Sequence, residues 1–421
     1  MIRSEVPPRP ARAAPARAGS WRAACESWPG SLALALSFTL AYAAKRPSQL
    51  LVPQLFAEDG TVFVTDALTR GWRDLFNTRV GYLELFPRIG SHLVVSVDMR
   101  YWPLVANALA LAATGALFLY AMRRSLPLSE RVGQAALICL VPFGPPIYLN
   151  MTYFVVVPLL FYPLMVRDIE RTRRVAGAHY VFLAVVVATG PWGLFTAPVA
   201  IALWLARAQV KGAVAFAAAH ALAFGVSLVA WWSSAPIPAR VIAPPSLGTA
   251  GGLASDVARD LFALRGESGG SLSAVSAVGA MCVIVCVFRA ARHRPPLLLA
   301  SLVAGVAVLA GGVWRTLAIS TASVLPQPWG AGERYFVLLL STIGMILVAV
   351  LSDAVRERPI PIAATTAAVL ALALIASNGV VNYSRPGLPD FDWPREVERS
   401  RTEGRKELRI PPGGGWTIKL P

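Results

Sequence analysis

The sequence predicts an all-α polytopic membrane protein with about eleven transmembrane helices, and three observations predict it. Of its 421 residues, 56% are hydrophobic and 15% charged, with a mean hydropathy of +0.57, too apolar for a water-facing globular surface. Apolar stretches of roughly 17 to 25 residues recur along almost the whole chain, the length a helix needs to cross a hydrocarbon core about 30 Å thick. Arginines fall in the short connections between those stretches. The net charge of +16 therefore reads as topology and excludes nucleic acid as a partner.

Residues 1–29 carry Arg3, Arg9, Arg12, Arg17 and Arg22 among Pro and Ala, the composition of a disordered basic tail on the cytoplasmic side. The apolar run from Ser31 to Ala44 follows, and its Ala41-Tyr42-Ala43 resembles a signal-peptidase site. It is either a cleaved leader or a retained first helix. The long tail before it and the apolar extension from Leu50 to Phe56 favour retention.

Further spans are expected near 101–121, 132–149, 151–166, 179–195, 197–208, 212–232, 271–289, 297–318, 334–352 and 360–382, so that the multi-pass domain covers 30–382. With the tail inside, every second loop should be cytoplasmic: Arg123-Arg124 to Arg131, Arg167 to Arg174, Arg207 to Lys211, Arg289 to Arg294, and Asp353 to Arg358. Each carries two or more Lys or Arg, as cytoplasmic loops do, and one missed or spurious span would move the later ones outside. Segment 197–208 is short for a full span.

The outer face receives the long connections 45–100, 233–270 and 319–333 and the extracytoplasmic C-terminal segment 383–421. Within the first, Arg88 to Val97 has apolar spacing for a short amphipathic helix lying along the membrane surface. Pro142-Phe143-Gly144-Pro145-Pro146 and Gly190-Pro191-Trp192-Gly193 should break helices near that face. The final segment, with its Ile410-Pro411-Pro412-Gly413-Gly414-Gly415-Trp416 turn, suggests a small β-containing cap over the site mouth or a docking segment. Cys25, Cys139, Cys282 and Cys286 lack paired spacing and are given packing roles; His92, His179, His220 and His293 are scattered and read as structural.

Chemistry is expected where Glu58 and Asp59 emerge just after the first helix. An acid there can deprotonate an acceptor hydroxyl or help hold a divalent cation; the plain alternative is a solvated acidic loop. Arg88 and Arg334 are the candidates to stabilise a departing phosphate, against lipid-headgroup contact for Arg88 and an ion pair with Glu333 for Arg334. Tyr82, Trp192, Trp329 and Tyr335 are candidates to stack on a sugar ring or to form an interfacial belt.

An acidic pair after the first helix, a long amphipathic outer loop, about eleven spans and an outward C-terminal segment together resemble the GT-C superfamily of integral-membrane glycosyltransferases. More closely, Ala57-Glu58-Asp59-Gly60, the Gly81 to Arg88 stretch with Tyr82 and Glu84, Ala188 to Pro198, Gly332-Glu333-Arg334-Tyr335-Phe336, and the ending from Asp390 to Pro421 resemble a group of bacterial multi-pass membrane proteins. The resemblance implies a polyprenyl-phosphate-linked sugar as donor, a glycan, lipid or protein as acceptor, and a place in the bacterial inner membrane. It implies Asp59 as catalytic base, with Glu58 orienting the acceptor or assisting a divalent metal ion. Glu84, Arg88, Tyr82, Glu333, Arg334 and Tyr335 become its substrate- and phosphate-binding candidates.

Two other classes compete with transfer. A flippase or transporter of a lipid-linked saccharide should place charged groups deep in the bilayer, where the expected spans hold few, Arg315 the clearest. A non-catalytic envelope protein is the other. No Walker loop, dinucleotide fingerprint, serine-nucleophile elbow or zinc-protease helix is present in the sequence.

Overall fold

The computed structural model describes residues 19–78, 82–123, 125–140, 157–233, 274–293, 297–319, 335–354, 362–380, 390–411 and 415–421. Its helices are α1 (Gly19–Glu26), α2 (Trp28–Ala43), α3 (Ser48–Leu51), α4 (Thr65–Arg70), α5 (Leu85–Val95), α6 (Trp102–Ala121), α7 (Leu128–Leu140), α8 (Val157–Thr172), α9 (Gly177–Ala188), α10 (Ala197–Leu205), α11 (Ala213–Trp232), α12 (Ala274–His293), α13 (Leu297–Ile319), α14 (Val337–Ala354), α15 (Ile362–Val380) and α16 (Trp393–Glu403). Two strands, β1 (Glu407–Arg409) and β2 (Thr417–Lys419), pair antiparallel with Leu408 opposite Ile418. The chain is an all-α membrane protein with a small β-containing end. By length and composition, Met99–Ala121, Ala213–Trp232, Val337–Ala354 and Ile362–Val380 can each cross a bilayer.

Helix α14 is apolar around its whole circumference, as a helix enclosed by others must be. All its residues except Leu351 and Asp353 are buried, against α7, α8, α12, α13 and α15. Apolar attraction contributes little between helices already in lipid, so close backbone approach matters more. At Gly305 of α13 a Cβ would stand 2.8 Å from the Leu339 Cα, so only glycine permits that crossing.

Charged side chains tie one end of the bundle. Arg167 of α8 pairs with Glu130 of α7 at 2.6 Å, with Glu170 at 2.9 Å and with Asp353 of α14 at 4.0 Å. Asp168 takes Arg123 at 2.9 Å and His179 at 3.0 Å. Arg131 donates to Ser31 at the head of α2 (3.3 Å), and the Lys211 N–H to the Arg173 carbonyl (2.9 Å). Four of the five basic loops expected on the cytoplasmic side, and the start of α2, therefore share one end.

Two expectations change here. Within the 1–29 tail, Gly19–Glu26 is helical: Ala, Arg and Glu favour a helix once the proline-rich stretch has passed, and the Ser27 hydroxyl caps α2 by accepting from the Gly30 N–H (3.1 Å). The expected spans 179–195 and 197–208 become a short pair, α9 and α10, joined by a 3₁₀ turn at Pro191–Phe195. Twelve and nine residues make helices of about 18 and 14 Å, well short of a bilayer core. The break falls at the Gly-Pro-Trp-Gly stretch, as expected, with Trp192 buried and Gly193 against Ala223 and Ser227 of α11. The other expected break, 142–146, lies outside the described residues.

Candidate functional site

At the opposite end the first loop folds against the C-terminal segment. Leu55, Phe63, Val64, Val94, Trp102, Trp393, Val397, Leu408, Ile410 and Ile418 form one small apolar core, separate from the bundle's. The chain enters it through Ala57, a non-glycine residue at φ +43°, a strained conformation of the kind that collects at functional sites. Glu58 follows, half-buried, and Asp59 opens a π-helix, Asp59–Val64, another feature frequent at such sites.

Asp59 is fully buried and its Oδ2 accepts the Phe56 N–H at 3.2 Å. Directly above it the C-terminal strands close. The Ala57 N–H donates to the Pro411 carbonyl (2.8 Å), the Thr61 hydroxyl to the Thr417 carbonyl (2.9 Å), and the Lys419 N–H to the Thr65 hydroxyl (3.2 Å). Gly60 leaves room for the cap: a Cβ would sit 2.6 Å from Ile410 Cδ1 and 2.7 Å from Ile418 Cγ1, so those side chains would have to shift. The tail and the acidic motif, which sequence could not bring together, are one packed unit.

Arg88 lies in α5 with none of its surface exposed. Its guanidinium meets Asp66 at 3.1 Å, Asp74 at 3.5 Å and Glu84 at 3.5 Å. Burial without partners would cost several kcal/mol, so these carboxylates are what permit the charge to sit there. The expectation of a phosphate-facing or headgroup-facing Arg88 meets a different geometry, because three acidic partners already surround the one guanidinium. His92, one turn on, bonds Asp74 through Nε2 at 2.7 Å. A carboxylate only accepts, so that nitrogen carries the proton. Trp72 stacks on its ring at 4.0 Å between centroids.

Helix α5 thus turns its polar face inward and leaves Phe86, Ile89 and Leu93 exposed, the reverse of a water-facing helix. Asp66, Asp74 and Trp72 were not among the candidates read from the sequence, and His92 was read there as structural. The available signal was Glu84, Arg88 and His92 at four-residue spacing, one helix face carrying opposite charges.

Of the other expected site residues, Tyr82 and Tyr335 are buried, Glu84 is Arg88's partner, and Glu333 and Arg334 lie outside the described residues, as does Trp329. Tyr335 stands just before α14. Trp192 is buried inside the bundle, away from any surface where a sugar could stack. Among the described residues no three or more His, Cys, Asp or Glu side chains gather in a set that could hold a metal ion, and Glu58 with Asp59 make only a pair. Three comparisons, with protein-family models, curated proteins and solved structures, found no match.

Proposed function

We propose that the chain is a membrane glycosyltransferase of GT-C type, moving a sugar from a polyprenyl-phosphate carrier to an extracytoplasmic glycan, lipid or protein. The observation that carries this reading is Asp59: a fully buried acid behind a strained residue, at the head of a π-helix, under a closed cap. Strained backbone and π-helical turns gather at functional sites, and here both frame the one buried acid of the motif.

Asp59 takes the proton of an acceptor hydroxyl as that oxygen bonds to the sugar's anomeric carbon. The bond from that carbon to the phosphate oxygen breaks, and the polyprenyl phosphate leaves with the electron pair. Glu58, half-buried beside it, orients the acceptor. Arg88 serves as a positioning residue that holds the acidic loop together, and charge on the leaving phosphate falls to Arg334, which stands between Glu333 and Tyr335 in the sequence.

The orientation proposed is N-terminus in the cytoplasm and C-terminus outside, in a bacterial inner membrane. Its support is the gathering of four of the basic loops at one end and of the 45–100 loop with the tail at the other. We read α9 and α10 as a re-entrant hairpin, which makes about nine full spans where eleven were expected. A hairpin that returns leaves the alternation of later loops as two spans would.

The test is glycan mass spectrometry of envelope polysaccharides and lipids from cells with the wild-type protein, Asp59→Asn or a deletion. Loss of the same sugar unit in both, with Asp59→Asn normally inserted, supports catalysis by Asp59. Loss in the deletion alone moves the role to Glu58 or to transport, and unchanged profiles in all three strains overturn the enzymatic reading.

A further inference from the structure

The first loop and the C-terminal segment also border a half-open cavity of about 300 Å³ that Asp59 does not line. Leu51, Val52 and Pro103 give it an apolar wall; Arg100, Asp390 and Asp392 face it with charge. Its floor is Trp393, buried, tilted against Trp102 with ring centroids 6.3 Å apart, its Nε1 donating to the Met99 carbonyl at 2.9 Å. The Phe391 N–H donates to Gln54 Oε1 (3.2 Å), so both halves of the wall are fastened together.

Asp392 sits at φ +48°, a strained setting for a residue with a side chain. Its N–H is held by the Asp390 carboxylate at 2.8 Å. Its own carboxylate has no hydrogen-bond partner among the described residues. Among the described residues the Arg100 guanidinium pairs with Glu398 at 3.7 Å, with both side chains more than half exposed, so most of its donors stay available.

Two carboxylates against one guanidinium repel an anion, which sets aside phosphate and phospholipid headgroups. Acceptors and a donor set around an apolar wall match a sugar ring, whose hydroxyls donate and accept while its C–H face is apolar. A cavity of this size stands at the small end of ligand sites.

We propose that this cavity is a saccharide-binding subsite. Its role as the place where the acceptor glycan docks rests on the glycosyltransferase reading, whereas sugar binding does not. The test uses the full chain in nanodiscs with the methyl glycosides of glucose, galactose and mannose, read by saturation-transfer difference NMR. Asp392→Asn keeps a side chain tolerant of left-handed backbone, and Arg100→Ala changes an exposed side chain.

Transfer to the ring protons of at least one glycoside is expected in the wild type, with affinity reduced about five-fold or more in each pocket variant, the worth of roughly one hydrogen bond. Asp59→Asn should bind as the wild type does. Absence of transfer to all three glycosides, equal binding in the pocket variants that retain the wild-type thermal transition, or saturation reaching only lipid headgroups would overturn the proposal. If Asp392→Asn fails to fold, Arg100→Ala decides alone. Binding that persists while the glycan profile stays unchanged in both Asp59→Asn and the deletion would remove the catalytic role and leave the subsite standing.

Discussion

Arg88→Met keeps the length and packing of the side chain and removes its charge. In the native loop the guanidinium has no exposed surface and meets Asp66, Asp74 and Glu84 within 3.5 Å. Taking one partner from a buried ion cluster costs about 3–5 kcal/mol, because the remaining charges stay out of water. Two features lower that figure here. Asp66 keeps Arg70 at 3.5 Å, and Asp74 keeps His92 at 2.7 Å. A loss of about 3 kcal/mol is expected, concentrated in the 59–95 loop. Hydrogen exchange of the protein in nanodiscs reads it as lost protection in the π-helix and α5 with the bundle unaffected. Adding Asp66→Asn should restore about 1–2 kcal/mol of it, since the pair lies 3.1 Å apart and neighbours couple. A cost below about 1 kcal/mol with no coupling is what a surface arginine in contact with headgroups would show, and it would refute the buried-cluster account.

Two further perturbations address the cap. Gly60→Val should push Ile410 and Ile418 away from the acidic motif at a cost of about 1–3 kcal/mol, seen as faster protease cleavage within the last 30 or so residues; unchanged cleavage would mean the contact is not made. Glu396 is held below its ordinary carboxylate range of 4.5, first by its hydrogen bond with Arg409. Its folded pKa lies below the unfolded one, so its contribution is complete above about 4.5 and fades as pH falls through the lowered value. Exchange protection of α16 and β1 should therefore decline in acid, and Glu396→Gln should remove that dependence while lowering protection near neutrality. A decline of the same size in Glu396→Gln would assign it to another group.

Helices were legible wherever apolar runs were long, because lipid forces backbone hydrogen bonds inside a segment and leaves few alternatives. The same pattern does not foresee the shortness of α9 and α10, where composition is as apolar as in a span and the helices run only twelve and nine residues. At the site, the acidic pair could be read because charge stands out beside an apolar helix. The partners of Arg88 could not. Asp66 and Asp74 lie 22 and 14 residues away in sequence, and their ion pairs exist only because the π-helix, the 3₁₀ turn at Gly71–Phe76 and α5 fold onto one another.

The sequence by itself determined the solvent of this protein, the helical character of its spans and the place of the Glu58-Asp59 pair in the loop that follows the first of them. Hydropathy and charge are local properties, and each residue carries its own. Tertiary structure alone decided that Asp59 lies under the C-terminal strands, that Arg88 serves carboxylates, and that the loop and tail share a cavity. Those outcomes depend on which surfaces meet across more than 300 residues of chain, as in the Thr61–Thr417 contact, and no local pattern encodes that choice.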